Sequence, residues 1–274
     1  MNSLDTPLLR FTSEQVYKQS NCITPEHAAM GLWKNYVILL DVRTAEEVRA
    51  MHMPFAVHVP LSELPQRAVE VENSFVVPFS GSVFRTGLAW LWLKAVGYSK
   101  VLALPYSIEN ILGHLKPCGI NQLGNGHGKY PALEHGVGLI NRNLMEDIHM
   151  SDLGSVLKEM NFSYLGNGKH CVTGSEFHKL LKVDDVLFLD VRTDEEQLYS
   201  KYPWAEHIPL HDLPSRVGEL PEDKLIVPFC SSVFRASIAW GWLRAKGFSR
   251  VRTLILSTEE ISTLIKPTPL IMNR

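Results

Sequence analysis

The chain has 274 residues, of which 45% are hydrophobic and 20% charged, with a formal net charge of -2 at pH 7. That length suits two domains of roughly 100–150 residues, and a near-neutral chain offers no global basic field to hold nucleic acid. No run approaches the roughly 20 apolar residues of a membrane span, and the opening MNSLDTPLLRFTSEQ has neither a secretory nor an Arg-rich targeting pattern. A cytoplasmic location without membrane attachment is therefore expected. Four cysteines (Cys22, Cys118, Cys171 and Cys230) include no C-x-x-C pair, so neither a disulfide framework nor a zinc site is expected. The scattered histidines show no metal-binding spacing either.

Thr24-Pro25 places a capping hydroxyl before a proline in the first helical turn, predicting a helix start there. Tyr36–Leu40 is a short apolar run, expected for a parallel strand buried on both faces. It ends in Asp41-Val42-Arg43-Thr44. Phe75–Pro78 is a second such strand, and it runs into Ser80-Gly81-Ser82-Val83-Phe84-Arg85. A helix rich in Ala, Leu and Trp follows and stops at Gly97, the usual residue at a helix C-terminus. Val101–Leu104 is a third strand. From Cys118 to about Tyr164 the chain is Gly-rich, with a short amphipathic stretch at Leu144–Met160, and reads as a connector.

The pattern then recurs. Asp190-Val191-Arg192-Thr193 repeats Asp41–Thr44, and His207-Ile208-Pro209-Leu210 repeats His58–Leu61, both at an offset of 149. After one inserted residue the offset becomes 150. PFCSSVFRASIAWGWLRA from Pro228 then matches PFSGSVFRTGLAWLWLKA from Pro78 at 11 of 18 positions. Around it stand strands Val186–Leu189, Leu225–Pro228 and Val251–Leu254, a Thr173–Glu176 capping box, a Gly247 stop and a capped helix from Ser257. Units this long are whole domains rather than solenoid repeats. Alternating strands and helices define an α/β fold, with two tandem domains each holding a parallel sheet covered by helices on both faces. The boundaries are expected at 1–117, 118–164 and 165–274, the middle segment being the connector.

Cys230 carries the chemical signal. It lies at the C-terminal end of a parallel strand and before a helix N-terminus, facing the crevice where open α/β sheets bind ligands. Unpaired N–H groups and the helix dipole, about half a positive charge, favour a thiolate there, predicting a lowered thiol pKa. Arg235 adds a cation within the loop. The first copy has Ser80 in the cysteine's place. Asp41/Arg43, Asp190/Arg192, His58 and His207 occur in both copies and read as structural. Cys22 and Cys171 read as core residues. Of Trp240 and Trp242, one is expected in the core and the other at a domain interface.

LLDVRTAEE and FLDVRTDEE, the His52–Pro60 segment, the C-x-x-x-x-R loop and the K/R-A-x-G-[YF] helix end together resemble the rhodanese (sulfurtransferase) family, in order and spacing. Tandem members commonly keep the cysteine only in the second domain, as here. The resemblance implies sulfur transfer through a Cys230 persulfide, from a small sulfur-containing donor such as thiosulfate to a thiol or protein acceptor. Ser231, Ser232, Val233, Phe234 and Arg235 would form the active loop around the anionic sulfur, with Arg235 serving the loop or the donor's charge. No cofactor or metal is implied. Val233 stands where many family loops carry glycine. A non-catalytic persulfide carrier or anion-binding module is the alternative, resting on the nest expected in the first loop. A related cysteine phosphatase would place one more residue between cysteine and arginine.

Overall fold

The computed structural model describes residues 4–67, 75–115 and 152–265; Cys118 and most of the Gly-rich connector, including its Leu144–Ser151 part, lie outside them. The strands are β1 (Val37–Asp41), β2 (Ala56–His58), β3 (Phe75–Phe79), β4 (Cys171–Val172), β5 (Val186–Asp190), β6 (Ala205–His207), β7 (Leu225–Phe229) and β8 (Thr253–Leu254). Among the helices are α1 (Ser13–Tyr17), α2 (Pro25–Trp33), α3 (Ala45–Ala50), α4 (Val83–Ala95), α5 (Ile108–Leu115) and α6 (Asp152–Lys158). They continue with α7 (Phe162–Gly166), α8 (Gly174–Leu180), α9 (Asp194–Tyr199), α10 (Leu213–Arg216), α11 (Phe234–Ala245) and α12 (Thr258–Leu264).

The first sheet has the order β2-β1-β3, all parallel, and extends through bridges at Val76–Val101 and Cys22–Ala103. The second repeats it as β6-β5-β7, with a bridge at Ile226–Val251, while β4 pairs parallel with β8. Both central strands are buried over most of their length, as their unbroken apolar runs require. The core of the first sheet gathers Leu39, Val77, Phe79, Leu104 and Ile111. That of the second gathers Val172, Phe177, Val227, Phe229 and Ile261, with Trp204 stacked on Phe229 at 5.2 Å between ring centres.

Local signals act as expected. The Thr24 hydroxyl accepts from the His27 N–H at 3.3 Å, and Ser257 closes a capping box with Glu260. Gly97 and Gly247 have φ of +98° and +96°, and the next residue's N–H reaches back to Leu93 or Leu243 to end α4 or α11. Val101–Leu104 forms isolated bridges instead of a continuous strand, because it pairs through single residues on each side.

The compact units differ from the boundaries 1–117 and 165–274. The described part of Met1–Lys18 belongs with Leu165–Arg274, and Gln19–Tyr164 forms the other unit. Leu4, Leu8 and Phe11 are buried, and the Asp5 carboxylate accepts from Trp242 Nε1 at 3.0 Å and pairs with Lys246 at 3.0 Å. In the other unit α6 packs on α4. Each repeat is thus covered by the segment that precedes the other in sequence. Trp240 donates to the Val251 carbonyl and Trp242 to Asp5. Both rings are 0% exposed inside one compact unit, so Trp242 meets the N-terminal segment of its own unit and not the domain interface expected for one of the pair. Among the described residues no helix is long and apolar enough to cross a membrane.

A Cβ at Gly247 would meet nothing within 4 Å. With no steric clash, the cost of Gly247→Ala should come from forcing alanine into the left-handed φ of +96°, about 1 kcal/mol of unfolding free energy in denaturant titration.

Candidate active site

β7 delivers Cys230 immediately after Phe229, and α11 begins at Phe234. The Cys230 side chain is 0% exposed, and its Sγ accepts the Ala236 N–H of the first turn of α11 at 3.3 Å. This is the dipole-side placement expected from the strand–loop–helix order. The loop shows its surface at Ser232, with Ser231 and Val233 half-buried.

Val233 has φ +68°, ψ -27°, a left-handed conformation for a β-branched residue. Such a backbone costs about 1–2 kcal/mol and persists only when its surroundings impose it. The first loop is built differently: Gly81 takes the positive φ (+70°) and Val83 starts a regular helix. There the Ser80 hydroxyl accepts the Ser82 N–H at 3.2 Å and lies 3.3 Å from the Thr86 hydroxyl. A nest was expected in this loop, but one of its N–H groups is already taken by the loop's own serine.

Arg235 is fixed by the protein itself. Its side chain is 5% exposed and holds the Glu196 carboxylate through two bonds of 2.5 and 2.6 Å. A third bond, 2.7 Å, goes to the Ser231 hydroxyl. The cation therefore braces the loop, and Ser231 is turned toward it. Burial works to raise the Glu196 carboxyl, but the Arg235 bonds and charge outweigh it and hold the pKa at about 2 instead of 4.5. Glu196 also accepts the Thr193 N–H at 2.9 Å, so one carboxylate caps α9 and anchors the loop. The first domain has the same clamp, Arg85 on Glu47 at 2.5 and 2.8 Å, with Glu47 also held at about 2 against the upward effect of burial. The clamp's presence without a cysteine marks it as architecture.

Phe234 is buried, with its ring edge-on to Phe11 at 6.2 Å. Asp190 and Arg192 form a buried pair at 2.6 Å, matched by Asp41 and Arg43, and His207 Nε2 donates to the Arg192 carbonyl at 2.9 Å, as His58 does to Arg43. These are structural in both copies. Cys171 is buried, and burial pushes its thiol pKa up; Cys22 is only partly buried. Glu196 was missed from sequence because a glutamate at that helix position is already explained by capping. The parallel pairing of Glu47 with Arg85 is the signal that would have found it.

The Rhodanese-like domain model matches residues 24–114 and 173–263. The chain therefore belongs to the rhodanese-like domain family, with two copies in tandem. It is 36% identical over 76 residues to a protein from Allochromatium vinosum named Sulfurtransferase, covering 28% of this chain and 71% of that one. It is 28% identical over 91 residues to the HTH-type transcriptional regulator Rv0324 of Mycobacterium tuberculosis, covering 33% and 38%. The thiosulfate sulfurtransferase of Pseudomonas aeruginosa aligns in structure at 18% identity and TM-score 0.37, covering 94% of this chain and 47% of that one.

Two outcomes follow for the loop. Because the folded Glu196 pKa is depressed, its stabilisation is complete above 4.5 and is lost as pH falls toward about 2. Glu196→Gln should lower stability at pH 7 by about 3 kcal/mol, by leaving Arg235 buried without its counter-charge, and should flatten the acid limb of the pH–stability curve. Val233→Gly should relieve the left-handed strain and raise unfolding free energy by up to about 1 kcal/mol.

Proposed function

We propose that the protein is a sulfurtransferase that carries sulfane sulfur as a persulfide on Cys230. The observation supporting this reading is the Cys230 thiol at a strand end, with Sγ on the first-turn N–H of α11. A helix of this length presents its positive end to a sulfur anion.

The thiol proton leaves to solvent, and the thiolate attacks the outer sulfur of thiosulfate. A sulfur–sulfur bond forms to Cys230, the bond inside thiosulfate breaks, and sulfite departs with the electron pair. In the second half, an acceptor thiolate attacks the outer persulfide sulfur, leaving with it and returning Cys230 as thiolate. No net oxidant is needed, since sulfur passes between two nucleophiles at constant total charge. The Ala236 N–H faces Sγ, so it stabilises the thiolate that attacks the donor and the thiolate that leaves in the second half. The Glu196–Arg235–Ser231 brace holds the loop backbone while charge moves outward by one sulfur. Arg235 serves here through the loop, because its bonds are committed to Glu196 and Ser231. The first domain is structural: Ser80 is a poor nucleophile, and its hydroxyl closes its own loop.

Transfer from thiosulfate to cyanide or a small thiol should follow ping-pong kinetics, the pattern of a covalent intermediate. Cys230→Ser should abolish it. Ser80→Cys should neither restore turnover in that variant nor load in the parent, because Gly81 and Thr86 give the first loop another shape. Ternary-complex kinetics, or turnover surviving in Cys230→Ser, would overturn the reading.

A further inference from the structure

The segment Leu4–Tyr17 precedes the first repeat, yet it folds onto the second. Two of its contacts fall beside the residues that mount Cys230. Phe11, 3% exposed, packs edge-on against Phe234, the first residue of α11 and two residues from the N–H that bonds Sγ. The Ser13 hydroxyl at the start of α1 donates to the Glu195 carboxylate, the neighbour of the glutamate that clamps Arg235. Asp5 holds the opposite end of α11 through Trp242 and Lys246. The segment therefore touches both halves of the brace, the helix start and the carboxylate-bearing turn of α9, and the far end of the same helix.

The pattern belongs to the repeat. Leu4, Leu8 and Phe11 correspond at the offset of 149 to Leu153, Leu157 and Met160, and all six are buried. We infer that Phe11 and Ser13 are positioning residues for the active loop, keeping the Cys230 thiol covered and on the Ala236 N–H. A loop with a left-handed valine needs outside support to hold that shape, and Phe11 against Phe234 supplies it one residue from the strained position. Asp5, on the same segment but at the other end of α11, supplies stability alone.

The test is alkylation of Cys230 by iodoacetamide in the full chain, mapped by peptide mass so that the other cysteines do not count. Phe11→Ala should raise the Cys230 rate about tenfold through local opening, and Phe11→Leu should return it most of the way. Asp5→Ala should lower Tm while leaving the Cys230 rate within about twofold of the parent. Equal rate gains in Phe11→Ala and Asp5→Ala would reduce the segment to a stabiliser and overturn the inference, as would an unchanged rate in Phe11→Ala. Should Phe11→Ala not fold, Ser13→Ala decides: a rate raised several-fold supports the inference and an unchanged rate overturns it. Alkylation reads the thiol directly, so the result is separate from whether Cys230 carries sulfur.

Discussion

A guanidinium keeps its charge even when only 5% exposed, so burying it without a partner would be strongly destabilising, and Arg235 takes Glu196. Much of the second domain's chemistry depends on that pairing. It ties the loop after β7 to the first turn of α9, two elements 39 residues apart in sequence. Its spare donor engages Ser231, leaving the loop little freedom. With the backbone held, the first-turn N–H of α11 can meet Sγ, and Val233 can be kept in a conformation it would not choose. The pair supplies rigidity; the helix end supplies the favourable field for a sulfur anion.

The first domain makes the division of labour visible. It keeps the clamp, the buried Asp–Arg pair and the histidine-to-carbonyl bond, all at matching positions. What it lacks is local to one loop. Serine replaces cysteine, glycine takes the left-handed position, and threonine stands where Ala236 brings an unencumbered turn to the sulfur. The same scaffold thus holds one loop closed on its own hydroxyl and another around a thiol. Architecture is shared, and chemistry is set by a handful of side chains between strand and helix.

Much of this could be read from the chain alone, because it rests on short-range rules. The 149-residue offset exposed two domains, apolar runs marked the central strands, and Gly97 and Gly247 marked the ends of α4 and α11. Cys230 stood out because a strand end beside a helix start is a chemically special address. Glu196 did not, since its local duty as a capping residue accounted for it fully. The left-handed position was legible only in part: Val233 stands where many family loops carry glycine, but propensity argues against valine taking that conformation. The docking of Leu4–Tyr17 on the distant repeat was hidden for another reason. Leu8 and Phe11 declare that they will be buried, but amphipathicity does not name the surface that buries them.

The central claim is that Cys230 receives sulfur and holds it. Intact mass of the full chain after thiosulfate or mercaptopyruvate tests this without a coupled assay. A gain of one sulfur, localised to the Cys230 peptide and removed by a thiol, is the predicted result. A free, alkylatable Cys230 that gains no sulfur from either donor would contradict the claim, and the chain would then hold anions or partners without transferring sulfur from them.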